Sequence, residues 1–112
     1  MVIRSYIPQR GDMVWLDFDP QAGHEQKGRR PALVISHMEY NEKVGQALFC
    51  PVTSKTINYP FEIIVHKNKI SGSIFSDQVK SLDWKIRNVE FIEKISELEM
   101  ASVIERIELL IK

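Results

Sequence analysis

The chain has 112 residues, 44% of them apolar and 27% charged, which is the length of one domain and the composition of an ordinary globular fold. Fifteen basic and fifteen acidic residues cancel, so overall charge does not drive binding to nucleic acid, and any such binding needs a local basic patch. Cys50 is the single cysteine, which excludes an internal disulfide.

Charge is unevenly spread along the chain. Residues 1–89 hold 12 Lys and Arg against 9 Asp and Glu, whereas residues 90–112 hold 3 against 6. A basic working face and an acidic C-terminal element fit that split, as does a helix with solvated acidic residues. Met1-Val2-Ile3-Arg4 leads into a polar segment, with none of the apolar core of a secretory leader. No run approaches the roughly 20 apolar residues of a membrane helix. The expectation is a cytoplasmic, single-domain protein over residues 1–112, with no membrane partner.

Arg10-Gly11 closes a short lead with a turn signal. From Asp12 to Phe18 the residues alternate, with Val14, Leu16 and Phe18 on one face and Met13, Trp15 and Asp17 on the other, which predicts a strand. A polar loop follows, and Pro31 is expected at the first residue of the next strand, where a missing N–H is tolerated. Ala32-Leu33-Val34-Ile35 is continuously apolar, the pattern of a strand covered on both faces. Met38 to Gly45 is polar and ends in glycine, predicting a hairpin connection, and Gln46 to Val52 predicts the return strand.

Thr53 to Pro60 reads as a hydroxyl-rich loop, and Phe61 to His66 as a strand with Phe61, Ile63 and Val65 facing together. Lys67 to Gly72 is expected as a basic turn, Ser73 to Trp84 as one long bent strand, and Val89 to Ile92 as a short last strand. Six or seven short strands at this spacing predict a compact, mainly antiparallel β-barrel. The period then changes. Ser96 and Glu99 match a capping box, with Ile95 and Met100 at the positions of a hydrophobic staple. Leu98, Ala101, Ile104, Ile107 and Ile111 recur every three or four residues and predict an amphipathic C-terminal helix.

Motifs for several chemistries are missing. His24, His37 and His66 are scattered without the spacing of metal ligands, and the glycines are isolated singles, unlike a phosphate-binding loop. No Gly-x-Ser-x-Gly elbow is present. Cys50 sits in an apolar run, where a thiol is a small core residue and not a nucleophile. Neither a metal nor another cofactor is expected.

Glu25, Arg30 and Thr53 remain, on two loops, together with the stretch Asp77 to Trp84. A carboxylate, a guanidinium and a hydroxyl suffice for metal-independent cleavage of an RNA phosphodiester. The ribose 2′-OH is an internal nucleophile beside the phosphorus, so the protein supplies only a base and donors. Glu25 suits the base, a role worth on the order of 10²–10⁴-fold. Arg30 offers a rigid multi-donor fork for the charge that builds on the phosphorane oxygens, and Thr53 adds a hydrogen bond. The same residues have ordinary readings: Glu25 as a solvated loop carboxylate, and Arg30 as the partner of Asp17 or Asp19. His24 is an alternative base. Trp15 and Trp84 suit base stacking, and suit core or dimer packing at least as well.

The blocks Asp12 to Pro20, Gly23 to Ser36, Pro51 to Ser54, Tyr59 to Ile63 and Asp77 to Trp84 together resemble the PemK/MazF family, the toxins of toxin–antitoxin pairs. The likeness runs in order through residues 5–87, fades in 64–73 and is only pattern-deep in 88–112. It implies a small SH3-like antiparallel β-barrel with one or two helices, usually a homodimer. It implies cleavage of single-stranded RNA at a short recognition sequence, leaving a 2′,3′-cyclic phosphate and a 5′-OH, and it carries Glu25, Arg30 and Thr53 as catalytic residues. Substrate contacts fall on Lys27, Arg29, Ser54, Lys55, Gln78, Lys80 and Arg87. The implied partners are single-stranded RNA and an antitoxin whose disordered acidic tail covers the active face. Lys85 stands where some relatives carry arginine, which weakens a bidentate phosphate contact there.

Two other functions compete. A barrel of similar fold can act without cutting RNA, by binding a protein such as gyrase through an aromatic–Gly–Ile type ending; this chain ends Glu108-Leu109-Leu110-Ile111-Lys112. An inactive RNA-binding relative is the other, and an RNA cleavage assay separates both from the first reading.

Overall fold

The alternation from Asp12 onward serves two cores at once. In the computed structural model, which describes residues 6–18 and 28–112, this segment forms β1 (Asp12–Asp17). Met13 enters one apolar cluster while Val14 and Leu16 enter another, all three fully buried. β2 (Arg29–Val34) does the same. Leu33 and, just beyond the strand, Ile35 join the first cluster, and Ala32 and Val34 join the second. That is why its apolar run is unbroken.

The remaining elements are α1 (Met38–Val44), β3 (Ala47–Thr53), β4 (Glu62–His66), β5 (Ser71–Phe75), β6 (Lys80–Leu82), β7 (Glu90–Lys94) and α2 (Glu97–Ile111). The strands form one antiparallel sheet in the order β4-β5-β3-β2-β1-β7, with β6 also paired to β3. The sheet curls into a half-barrel. Its open side is filled by α2, whose fully buried Val103 joins the cluster that holds Ile63, Val65 and Ile92, with Met100, Ile104 and Ile107 packed against it.

Pro31 is the third residue of β2, not the first, because Arg29 and Arg30 already pair with Asp17 and Leu16. The ladder explains how it is tolerated. Ile35 N–H donates to Leu48 O, so by alternation the Pro31 nitrogen also faces β3. The β2–β3 register ends at Ala32–Pro51, and no ladder bond is lost. Pro51 follows the same logic on the other edge of β3. That edge pairs with β6 over Ala47–Phe49 and with β5 over Val52–Thr53. Pro51 lies in the gap.

That change of partner also breaks the expected long strand. Ser73 to Trp84 is divided between β5 and β6, joined by a turn in which Gln78 N–H donates to Phe75 O and Ser76 N–H to Phe61 O. Ser71 and Gly72 belong to β5, so the preceding turn is shorter than expected.

Met38 to Gly45, expected as a hairpin connection, is the helix α1. It carries no apolar stripe, and Asn41 is its one buried residue. Asn41 holds it in place: Nδ2 donates to Pro8 O at 2.8 Å and to Ser36 O at 3.1 Å, and Oδ1 accepts the Ser36 hydroxyl. Trp84 Nε1 donates to Asn41 O at 3.1 Å. Gly45 ends the helix at φ 79, a left-handed cap that glycine adopts at no steric cost.

The capping box of α2 is formed as expected. Glu99 N–H donates to Ser96 Oγ at 3.1 Å and Ser96 N–H to Glu99 Oε1 at 2.8 Å. The packed face differs from the expected stripe. Leu98 is 82% exposed and Ile111 76%, because the face that meets the barrel is centred on Met100, Val103 and Ile107.

Candidate active groove

Antiparallel order brings three strand ends together. β1 ends where β2 begins, and β3, running back along β2, ends at the same edge. Arg30 therefore comes from the start of β2 and Thr53 from the last position of β3. Both line one groove of about 470 Å³, with Ser54, Gln78, Trp15 and Phe75 around them. A smaller pocket of about 190 Å³ shares Pro51 and Gln78 with it and adds Phe18 and Lys80. Lys55 is exposed just beyond Ser54, and its N–H donates to Thr53 Oγ1 at 3.4 Å. A larger cavity of about 740 Å³ lies beside α2, lined by Arg10, Lys94, Met100 and Glu105. It holds none of the expected site residues.

Arg29 and Arg87 are engaged at the end of β1. Arg29 Nη1 lies 2.9 Å from Asp17 Oδ1 and its Nη2 2.9 Å from Glu90 Oε1. Arg87 Nη1 donates to Phe18 O at 2.7 Å and to Asp17 O at 3.1 Å, while Asp17 N–H donates to Arg87 O. Asn88 Nδ2 completes the set on Asp17 Oδ2 at 2.8 Å. The hydrogen bonds from Asn88 and Arg29 hold the Asp17 carboxyl below its usual range. Asp17 thus pairs with Arg29, the neighbour of Arg30.

The segment after Thr53 is tied to Glu62, a buried carboxylate at the start of β4. Its oxygens accept Ile57 N–H at 3.1 Å and Tyr59 N–H at 3.2 Å. Hydrogen bonds from Ser73 and from the backbone of Ile57, Tyr59 and Asn58 hold its carboxyl below the ordinary value. Tyr59 OH donates to Asp77, the residue before Gln78.

Glu25, Lys27 and the alternative base His24 lie outside the described residues. Trp84 is a core residue, 4% exposed, whereas Trp15 lines the groove and is 36% exposed. His37 is the N-cap of α1, and His66 is the exposed last residue of β4. Cys50 is buried, and burial pushes its thiol up to about 12, the inert behaviour expected of a core thiol. The sequence reading missed Phe75, Ile70 and Ser71 on the groove wall and Glu62 beneath the loop. The signal that could have found Glu62 is an acidic residue at the start of a strand, directly after a loop.

The sequence profile described as "PemK-like, MazF-like toxin of type II toxin-antitoxin system" matches residues 9–111. The endoribonuclease toxin MazF of Escherichia coli K12 is 43% identical over 86 residues, 77% of this chain and 78% of the relative. Endoribonuclease PemK of Escherichia coli is 29% identical over 112 residues, 96% and 84% of the two chains. MazF of Deinococcus radiodurans superposes with a TM-score of 0.84 at 43% identity, covering 95% of this chain and 97% of that one. A MazE–MazF crystal structure from the same organism gives 0.84 at 36%, with 95% and 96% covered. Fold, groove and relatives define a toxin with endoribonuclease activity. The chain belongs to the PemK-like, MazF-like toxin family of type II toxin–antitoxin systems.

Proposed function

We propose that this toxin cuts single-stranded RNA at a short recognition sequence, without a metal, through attack of the ribose 2′-OH on the adjacent phosphorus. The observation that carries this reading is the single groove lined by Arg30 and Thr53 from two different strands. In the proposed reaction Glu25 takes the 2′-OH proton, the new O2′–P bond forms, the P–O5′ bond breaks, and the leaving O5′ takes a proton from solvent water. The products are a 2′,3′-cyclic phosphate and a 5′-OH. Arg30 donates to the phosphorane oxygens as their charge grows, a role of about 3–4 kcal/mol by comparison with oxyanion-hole donors. Thr53 adds a neutral donor beside it. Lys27, Ser54, Lys55, Gln78 and Lys80 hold the RNA strand, and Trp15 offers a face on which a base stacks. Arg29 and Arg87 add positive charge at the rim while bracing the loop.

The same reading includes an antitoxin, a homodimer and a cytoplasmic setting. A MazF relative from Deinococcus radiodurans crystallised as a MazE–MazF complex, and the basic excess of residues 1–89 suits a disordered acidic tail as well as it suits RNA. The exposed Leu98, Leu109, Leu110 and Ile111 of α2 supply apolar surface of the kind that subunits cover. No helix among the described residues is long and apolar enough to cross a membrane.

The test is incubation with a mixed-sequence RNA in excess EDTA, with both end groups read at every cut. Cleavage is expected to persist, with 5′-OH ends and cyclic phosphates at a recurring sequence. Loss of cutting on chelation, or 3′-OH ends, would overturn the mechanism.

A further inference from the structure

Glu62 does not line the groove, yet it is wired to the residues that do. Its carboxylate accepts the backbone N–H groups of Ile57 and Tyr59, two donors on either side of Asn58 that converge on one anion. Such a nest ordinarily cradles an external ligand, and here the anion is the protein's own. Asn58 sits at φ 57, the left-handed conformation that Asn adopts more readily than other residues with a side chain, and it is flanked by the two donors that reach Glu62.

Two short routes run from this hub to Thr53. Ser73, which helps hold the Glu62 carboxyl low, is the register partner of Thr53 across β3 and β5, and its Oγ lies 3.4 Å from Thr56 Oγ1. Along the chain, Lys55 N–H returns to Thr53 Oγ1. Residues 54–60 are thus closed at one end on Thr53 and at the other on Glu62. Arg106 of α2 adds an outer brace by donating to Pro60 O at 2.9 Å.

We propose that Glu62 is a positioning residue for RNA cleavage: its buried carboxylate shapes residues 54–60 so that Thr53 and Ser54 present their hydroxyls to the groove. Its oxygens are occupied by loop donors and take no part in proton transfer. The proposal rests on the reading of the groove given above.

The experiment is a double-mutant cycle on single-turnover cleavage, with Glu62→Gln, Thr53→Ala and the pair together. The glutamine side chain keeps the shape, but its amide nitrogen cannot accept the N–H it would meet. Glu62→Gln alone is expected to slow the chemical step about tenfold to a hundredfold, the scale of a displacement of about 1 Å at a reacting group. In the Thr53→Ala background the same change is expected to cost less than about threefold, since residues that act as a unit are not additive. Equal losses in both backgrounds, or none in either, would overturn the proposal alone. Wild-type cleavage by Thr53→Ala would overturn the groove reading and this proposal with it. Amide hydrogen exchange on the unmodified protein tests the hub whether or not Glu62→Gln folds. Ile57 and Tyr59 are expected to be protected, and exchange at the rate of an open loop would reject the hub.

Discussion

Gly72 passes directly against the backbone of Thr53. A β-carbon built on Gly72 would stand 2.2 Å from the Thr53 carbonyl oxygen and 3.0 Å from its carbonyl carbon. Gly72 of β5 pairs with Val65 of β4, while the next residue, Ser73, pairs with Thr53 of β3. The obstacle is backbone, so it cannot be relieved by rotating a side chain. Glycine lets β5 cross beneath the groove at that separation.

Gly72→Ala is therefore predicted to destabilise the fold by about 1–3 kcal/mol, the range for overpacking a close contact, and to lower cleavage by displacing Thr53. Urea denaturation and initial cleavage rates check it together. A variant with the stability and activity of the wild type would mean that the end of β3 shifts without consequence.

Arg30→Ala is predicted to reduce the chemical step by on the order of 10²–10³-fold, as for other single donors to a developing oxyanion. Arg30 is exposed, and the buried cores lie on other residues, so circular dichroism and the denaturation midpoint should stay near wild type. Loss of activity with loss of fold would make Arg30 a structural residue. Full activity would remove it from the mechanism.

Legibility in the sequence followed local determination. β1 and the Ser96 cap were readable because alternation and a capping box are written in adjacent residues. α1 was not, because Asn41 fastens it to Pro8 and Trp84, partners far along the chain. The division between β5 and β6 was hidden for a similar reason, since it is set by which stretch of β3 has a free edge on either side of Pro51. Leu98 looked like a core position by period alone, but the rotation of α2 is fixed by Ile63, Val65 and Ile92 around Val103. In the site, Arg30 and Thr53 carry recognisable chemistry on their own. Gly72 and Glu62 acquire meaning only when two strands and a loop are brought together.

Acid should weaken the fold through named carboxylates. Asp17 and Glu62 are held below their ordinary values of 3.8 and 4.5, Asp17 by Asn88 and Arg29, Glu62 by Ser73 and the 57–59 backbone. Glu99 is also lowered: burial pushes it up, and Lys67 with the Ser96 cap more than reverses this. Each group then binds its proton at higher pH in the unfolded chain than in the folded one. Stability rises with pH across that interval. The contribution is complete above the unfolded values, about 3.9–4.3, and is lost as pH falls through the lowered folded values. The predicted Tm is insensitive to these groups near neutrality and declines below about pH 4. Asp17→Asn and Glu62→Gln should each flatten part of that decline while lowering the plateau. Declines as steep as wild type in both would assign acid sensitivity to other groups.

Salt dependence separates the cations that meet RNA from those that brace the loop. Arg29 is shared between Asp17 and Glu90, and Arg87 is turned onto the carbonyls of Asp17 and Phe18. Lys55 and Lys80 are exposed, Lys80 beside Gln78 at the second pocket. A phosphate contact on a single strand releases counterions worth about 0.7 in the slope of log K against log salt. Lys55→Ala and Lys80→Ala are each predicted to reduce the slope by about that amount while leaving stability unchanged. Arg87→Ala is predicted to leave the slope near wild type and to lower both the denaturation midpoint and the cleavage rate, because its guanidinium holds the carbonyls of Asp17 and Phe18 at the end of β1. Titrations of a non-cleavable RNA at several salt concentrations decide between these roles. If Arg87→Ala removes as much slope as Lys80→Ala, the guanidinium has left the two carbonyls for a phosphate, and RNA binding itself must then rearrange the loop base.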